Sequence, residues 1–86
     1  MEFGVNGIII EEITTEEAES LCRMIRDYDE EGGPGALIPA GCYLWADKTG
    51  SGKDVWVAMY NEDHNAWVEE FNDRQSAIKW IIGEEV

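Results

Sequence analysis

The run DKTGSGKD, residues 47–54, is where this sequence comes nearest to nucleotide chemistry. Gly50, Ser51, Gly52 and Lys53 read GSGK, like the close of a phosphate-cradling loop. Such a loop needs Gly-x4-Gly-Lys followed by Ser or Thr, set between a strand and a helix, so that backbone N–H groups and the lysine surround the phosphates. Here Asp47 stands where the first glycine belongs, and Asp54 follows Lys53. Asp54 repels phosphate and supplies no hydroxyl, and the run leads into a strand. It reads instead as a hairpin connection. Gly50 and Gly52 supply positive φ, and Lys48 and Lys53 keep the edges in water.

The other chemistry-bearing residues are sparse. His64 is the single histidine, in NEDHN beside Glu62 and Asp63. Adjacent residues of a turn rarely converge on one ion, so this reads as a solvated turn and no metal site is expected. Ser20, Ser51 and Ser76 lack a base placed to activate them, and Cys22 falls on an apolar helical stripe. Glu69 and Glu70 are neighbours on a strand and point to opposite faces. The expectation is a protein that is not an enzyme and uses no cofactor.

The elements that position these residues follow from periodicity. GIIIEEI (7–13) is β-branched with a polar tail and reads as a strand. TTEEAESLCRMIRDYDEE (14–31) reads as a helix, opened by a capping box of Thr14 and Glu17. Ala18, Leu21, Cys22, Ile25 and Tyr28 form its stripe, with Met24 at the edge. Glu19–Arg23 and Arg26–Glu30 are i,i+4 pairs on the opposite face. GGPGALIPAG (32–41) is a loop. CYLWAD (42–47), DVWVAMY (54–60) and AWVEEF (66–71) are strands, in an antiparallel meander. DRQSAIKWII (73–82) is a helix, capped by Asn72 or Asp73 and stopped at Gly83. The order β-α-β-β-β-α predicts an α+β two-layer sandwich: a three- to four-stranded, mostly antiparallel sheet with both helices on one face.

Alternation along the strands gives two sets. One is aliphatic: Cys42, Leu44, Ala46, Val55, Val57, Met59, Ala66 and Val68. The other is aromatic: Tyr43, Trp45, Trp56, Tyr60, Trp67 and Phe71, with Ala58, Glu69 and Asp47 among them. If both helices cover the aliphatic set, the aromatic set is in surplus. It is then covered by the 32–41 loop and the chain ends, or buried in a homodimer, or used to bind a partner. Trp80 lies off the stripe of Ala77, Ile78, Ile81 and Ile82, against the helix flank or as a surface anchor.

Composition bounds the rest. The 86 residues make one small domain, 44% hydrophobic with four Trp, too apolar for a disordered tail. Nineteen acids face six bases, net −13. Residues 1–35 alone carry ten acids against two arginines, net −8. That field repels nucleic acid and excludes direct binding to it, base stacking on the aromatic strands included. It attracts a basic protein partner and speeds encounter with it. Cys22 and Cys42, without CxxC spacing, fit reduced core thiols of a cytoplasmic protein. No apolar run reaches membrane-spanning length and no signal-peptide pattern opens the chain, so no membrane association is expected.

In size, acidity and lack of catalytic residues the chain resembles the phage-encoded anti-CRISPR and DNA-mimic inhibitors. The resemblance is carried by EEITTEEAE (11–19) and DYDEE (27–31). It implies that carboxylates stand in for phosphates in the cationic channel of a nucleic-acid-binding effector such as a Cas protein. The mimic residues would be Glu11, Glu12, Glu16, Glu17, Asp29, Glu30 and Glu31. Arg23 and Arg26 dilute that face, which sets an aromatic-plus-acid contact surface of Tyr43, Trp45, Trp56, Tyr60, Trp67 and Glu69 beside pure mimicry. Two further readings stand: a homodimeric structural domain, and a small-molecule pocket between loop 32–41 and the sheet.

Overall fold

The computed structural model describes residues 1–27 and 38–83. Its elements are β1 (Glu2–Val5), β2 (Ile8–Glu12), α1 (Thr15–Asp27), β3 (Cys42–Lys48), β4 (Asp54–Tyr60), β5 (Trp67–Phe71) and α2 (Arg74–Ile81). They build an α+β fold, as expected, around one mixed sheet in the order β1-β2-β3-β4-β5. The sheet has five strands where three or four were expected. The extra strand is β1, paired antiparallel with β2 through Asn6 and Gly7. Both turn residues have positive φ, 50° and 82°, as a two-residue hairpin turn requires. β2 then pairs in parallel with β3, with α1 on the connection between them, and β3-β4-β5 is the expected antiparallel meander.

Both helices begin as their sequences dictate. Thr14 Oγ1 accepts from the Glu17 N–H at 3.1 Å, and Glu17 Oε1 accepts from the Thr14 N–H at 3.1 Å, a reciprocal capping box. Asp73 caps α2 by accepting from the Ser76 N–H at 2.7 Å, which holds its carboxyl below the ordinary aspartate range. After α2 the Gly83 N–H returns to Trp80 O at 3.2 Å. The part of the expected first helix beyond Asp27, and loop residues 32–37, lie outside the described residues.

The expectation that both helices share one face fails. α2 buries Ala77 and Ile81 against Ile10, Cys42, Leu44 and Ala58. α1 buries Ala18 against Trp45, Val57 and Met59. Leu44 and Trp45 are consecutive on β3, so they point to opposite sides of the sheet, and each helix has its own side. The two expected residue sets fail for a related reason. β3 and β4 register Leu44 against Ala58 and Trp45 against Val57, so Tyr43 and Trp45 share a face with Val55, Val57 and Met59. No aromatic face is left over. Trp45 is only 2% exposed, and Trp80 packs on Phe71 with ring centroids 6.0 Å apart. Trp67, 57% exposed on the edge strand β5, is the one indole standing out in water.

One buried polar side chain ties the sheet end together. Asn61, 0% exposed, donates to Ile38 O and Pro39 O at 3.2 and 3.3 Å and accepts from the Ala66 N–H at 3.0 Å. It fastens the chain entering β3 to the turn that leaves β4, in which His64 and Ala66 both hold positive φ.

Candidate binding groove

α1 rests on β3, which leaves the β1–β2 side of its face without a helix among the described residues. The space there is a groove of 640 Å³. Its floor is Ile9, Ile13, Leu21 and Tyr43, with Pro39, Ala40 and Gly41 at one end. Ile9 stays 58% exposed. Gly4 lies opposite Ile9 in the β1–β2 register and adds no side chain to the floor.

The rim is acidic. Glu2 and Glu11 are direct cross-strand partners, and both line the groove with Glu17 from α1 and Glu62 from the turn after β4. Like charges set opposite one another on a sheet are unfavourable, so this pair carries a cost within the fold itself. Among the described residues no Lys, Arg or His lines the groove. Tyr43, which donates to Pro39 O at 2.6 Å, has its phenol pushed up by burial and then by Glu11, the Cys42 thiol and Glu62. The Cys42 thiol is pushed up to about 11 by burial and then Glu62. Burial is the larger cause of both shifts; it is the four carboxylates around the apolar lining that suit the site to a cation with an apolar body. Among the described residues no three His, Cys, Asp or Glu side chains form a group that could hold a metal ion.

The structure gathers three of the expected partner-binding residues here: Glu11, Glu17 and Tyr43. The others are dispersed. Glu12 points to the opposite face, where its Oε1 accepts from Arg74 Nη2 at 2.7 Å and Nε at 2.9 Å. The Arg74 guanidinium in turn sits 4.9 Å from the Phe3 ring centroid and 5.9 Å from that of Trp56. Glu16 stands exposed in the first turn of α1. Trp45 is buried under α1, its Nε1 3.4 Å from Asp47 Oδ2, and has no surface to offer. Trp56 and Tyr60 are half-buried on the α2 face. Trp67, whose Nε1 donates to Asp63 at 3.0 Å, and Glu69 lie on the β5 edge, away from the groove. Asp29, Glu30 and Glu31 lie outside the described residues. Glu2 and Ile9 escaped the sequence reading, and Glu62 was weighed there only as a metal ligand. The Asn6-Gly7 pair was the signal for the first two, since a tight hairpin there sets Glu2 against Glu11.

The GSGK run is a hairpin loop. The Thr49 and Gly52 N–H groups bond to Lys53 O and Thr49 O, both at 2.9 Å, so they point into the loop. Of its glycines only Gly52 has the expected positive φ, 86°. Lys48 pairs with Asp54 at 2.5 Å and Lys53 donates to Asn72 at 2.9 Å, which commits both cations locally. Both cysteines are free, but Cys22 is exposed where a core thiol was expected, and only Cys42 is buried. No described helix is long and apolar enough to cross a membrane. Compared with protein-family models, curated proteins and solved structures, the chain matches none.

Proposed function

We propose that the chain is a non-enzymatic acidic binding protein that docks on a basic, nucleic-acid-handling partner and blocks it. That is how the anti-CRISPR and DNA-mimic inhibitors it resembles in size and acidity act. One observation carries the reading: a groove of 640 Å³ with an apolar floor and four carboxylates and, among the described residues, no cation in its lining, on a chain of net charge −13. A protein that handles nucleic acid must present Lys and Arg to phosphate. The same cations are drawn to this rim, at association rates that rise as salt falls. Occupying them leaves the nucleic acid without its site. A Cas effector is one instance of such a partner.

The test begins with the immobilised chain in cell lysate, followed by identification of what it holds. The reading expects basic nucleic-acid-binding proteins, released by about 0.5 M salt and displaced by duplex DNA. The purified partner must then lose nucleic-acid binding as the chain is added. Capture that survives molar salt, or a partner that binds nucleic acid as well with the chain as without it, contradicts the proposal.

A second reading, a small-molecule site, is favoured by the groove's volume and by its place against Pro39–Gly41. Its ligand would be a cationic amphiphile. A melting-temperature rise with such compounds, absent with anionic ones of the same apolar body, would support it.

A further inference from the structure

Resting on the reading of the groove as a docking site, we propose that its occupant is a basic amphipathic helix of the partner protein, lying beside α1 over β1 and β2. Width is the first argument. Strands repeat every ~4.8 Å, so five span about 20 Å, whereas one helix is about 10 Å across. The α1 face is therefore wider than the one helix it shows among the described residues, and α1 rests on the middle strand β3, which leaves the β1–β2 side without one. The part that the described residues leave uncovered is the β1–β2 side, where Ile9 is 58% exposed.

Charge is the second argument, and it fixes the occupant's chemistry. Glu2 and Glu11 stand on the strand side of the groove and Glu17 on the α1 side. A helix over β1 and β2 meets Glu2 and Glu11 at one end of the hairpin beneath it and Glu17 along its α1 side. Its complement is an apolar stripe at i, i+3, i+4 and i+7 with Lys or Arg along each border. This chain does not supply such a segment. A second copy brings another −13, and the apolar residues Ala77 and Ile81 of α2 are already buried. Residues 28–37 hold Asp29, Glu30 and Glu31 and no base.

The experiment is a fluorescence-anisotropy titration of the full chain with a labelled peptide of about 18 residues, a leucine stripe bordered by lysine and arginine. A scrambled peptide keeps composition and charge but has no stripe. The stripe peptide should bind at least about 10-fold tighter than the scramble, and its affinity should fall by about 10-fold or more between 50 and 500 mM salt. Ile9→Ser, at an exposed position, should weaken it about 5-fold. Glu11→Gln should weaken it by a few-fold, whereas Glu70→Gln, the same charge change on β5, should have little effect. Circular dichroism should show helix gained by the peptide on binding. Equal affinity for both peptides, or equal effects of the two glutamate variants, would overturn the helix-in-groove proposal while leaving salt-sensitive acidic docking in place. Absence of binding by either peptide at low salt would remove both.

Discussion

Glu11→Gln should make the protein more stable and a worse binder at once. Glu11 and Glu2 are register partners in the β1–β2 hairpin, and both border the groove. Cross-strand partners hold their Cβ atoms about 5 Å apart, and two glutamates can splay their carboxylates to about 8 Å. At that distance the repulsion in water is roughly 0.5 kcal/mol. Both side chains reach solvent, so the water value is the appropriate one. For a domain of this size 0.5 kcal/mol corresponds to a melting-temperature rise of about 2–4 °C. The rise should appear by differential scanning calorimetry at about 20 mM salt and vanish near 0.5 M, where the Debye length falls below the separation. Glu2→Gln should give the same gain, and the double variant should add nothing further, because one repulsion is removed only once. The opposite signs are the informative part, since stability is being held down at a residue whose charge serves binding. A melting temperature that is unchanged or lowered at low salt, or additive gains from the two variants, would refute the register-based repulsion.

The remaining expectations concern the fold that carries the groove. Trp45→Ala should cost about 3–5 kcal/mol in urea unfolding, since the ring is 2% exposed, whereas Trp67→Ala, at 57% exposed, should cost less than about 1 kcal/mol. Asn61→Ala strips the buried Ile38 carbonyl and the Ala66 N–H of the Asn61 partner, while Pro39 O keeps the Tyr43 hydroxyl, and should cost about 1–3 kcal/mol with exchange protection lost at Ala66. Thiol labelling at pH 8 should modify exposed Cys22 in the folded protein, slowed because burial and then Asp47 and Glu19 push its thiol up, and Cys42 only in denaturant. The Cys42 thiol is raised in the folded state from 9.0 to about 11. Stability from this residue is therefore intact below pH 9 and lost as pH rises from there through about 11, and the loss should be absent in Cys42→Ala.

Local chemistry was legible in the sequence and handedness across the sheet was not. The Thr14–Glu17 box, the Asp73 cap and the Gly83 stop are written in consecutive residues, and all three take the expected form. Strands β3 and β4 run within a residue of their expected spans. What failed needed non-local information. Whether Trp45 shares a face with Val57 or Trp56 depends on one residue of register through the 49–53 loop, and a single step exchanges every side chain. Which side of the sheet each helix takes depends on the path of the chain between elements. The groove needs both facts, because it is the part of the α1 face that α1 does not reach. Its carboxylates come from β1, β2, α1 and the turn after β4, and only the assembled sheet brings Glu2 and Glu62 near Glu11. The β1 strand itself was readable from Asn6-Gly7 between EFGV and III, a hairpin signal that the more conspicuous GIIIEEI run obscured.

The most direct measurement is a two-dimensional amide and methyl NMR titration of the labelled chain with the basic stripe peptide. Shifts should concentrate at Ile9, Ile13, Leu21 and Tyr43, and the amides of Glu2 and Glu11 should move with them. Shifts centred instead on α2 or on the Trp67 edge of β5, or scattered evenly over the acidic surface, would contradict the assignment of this groove as the docking site.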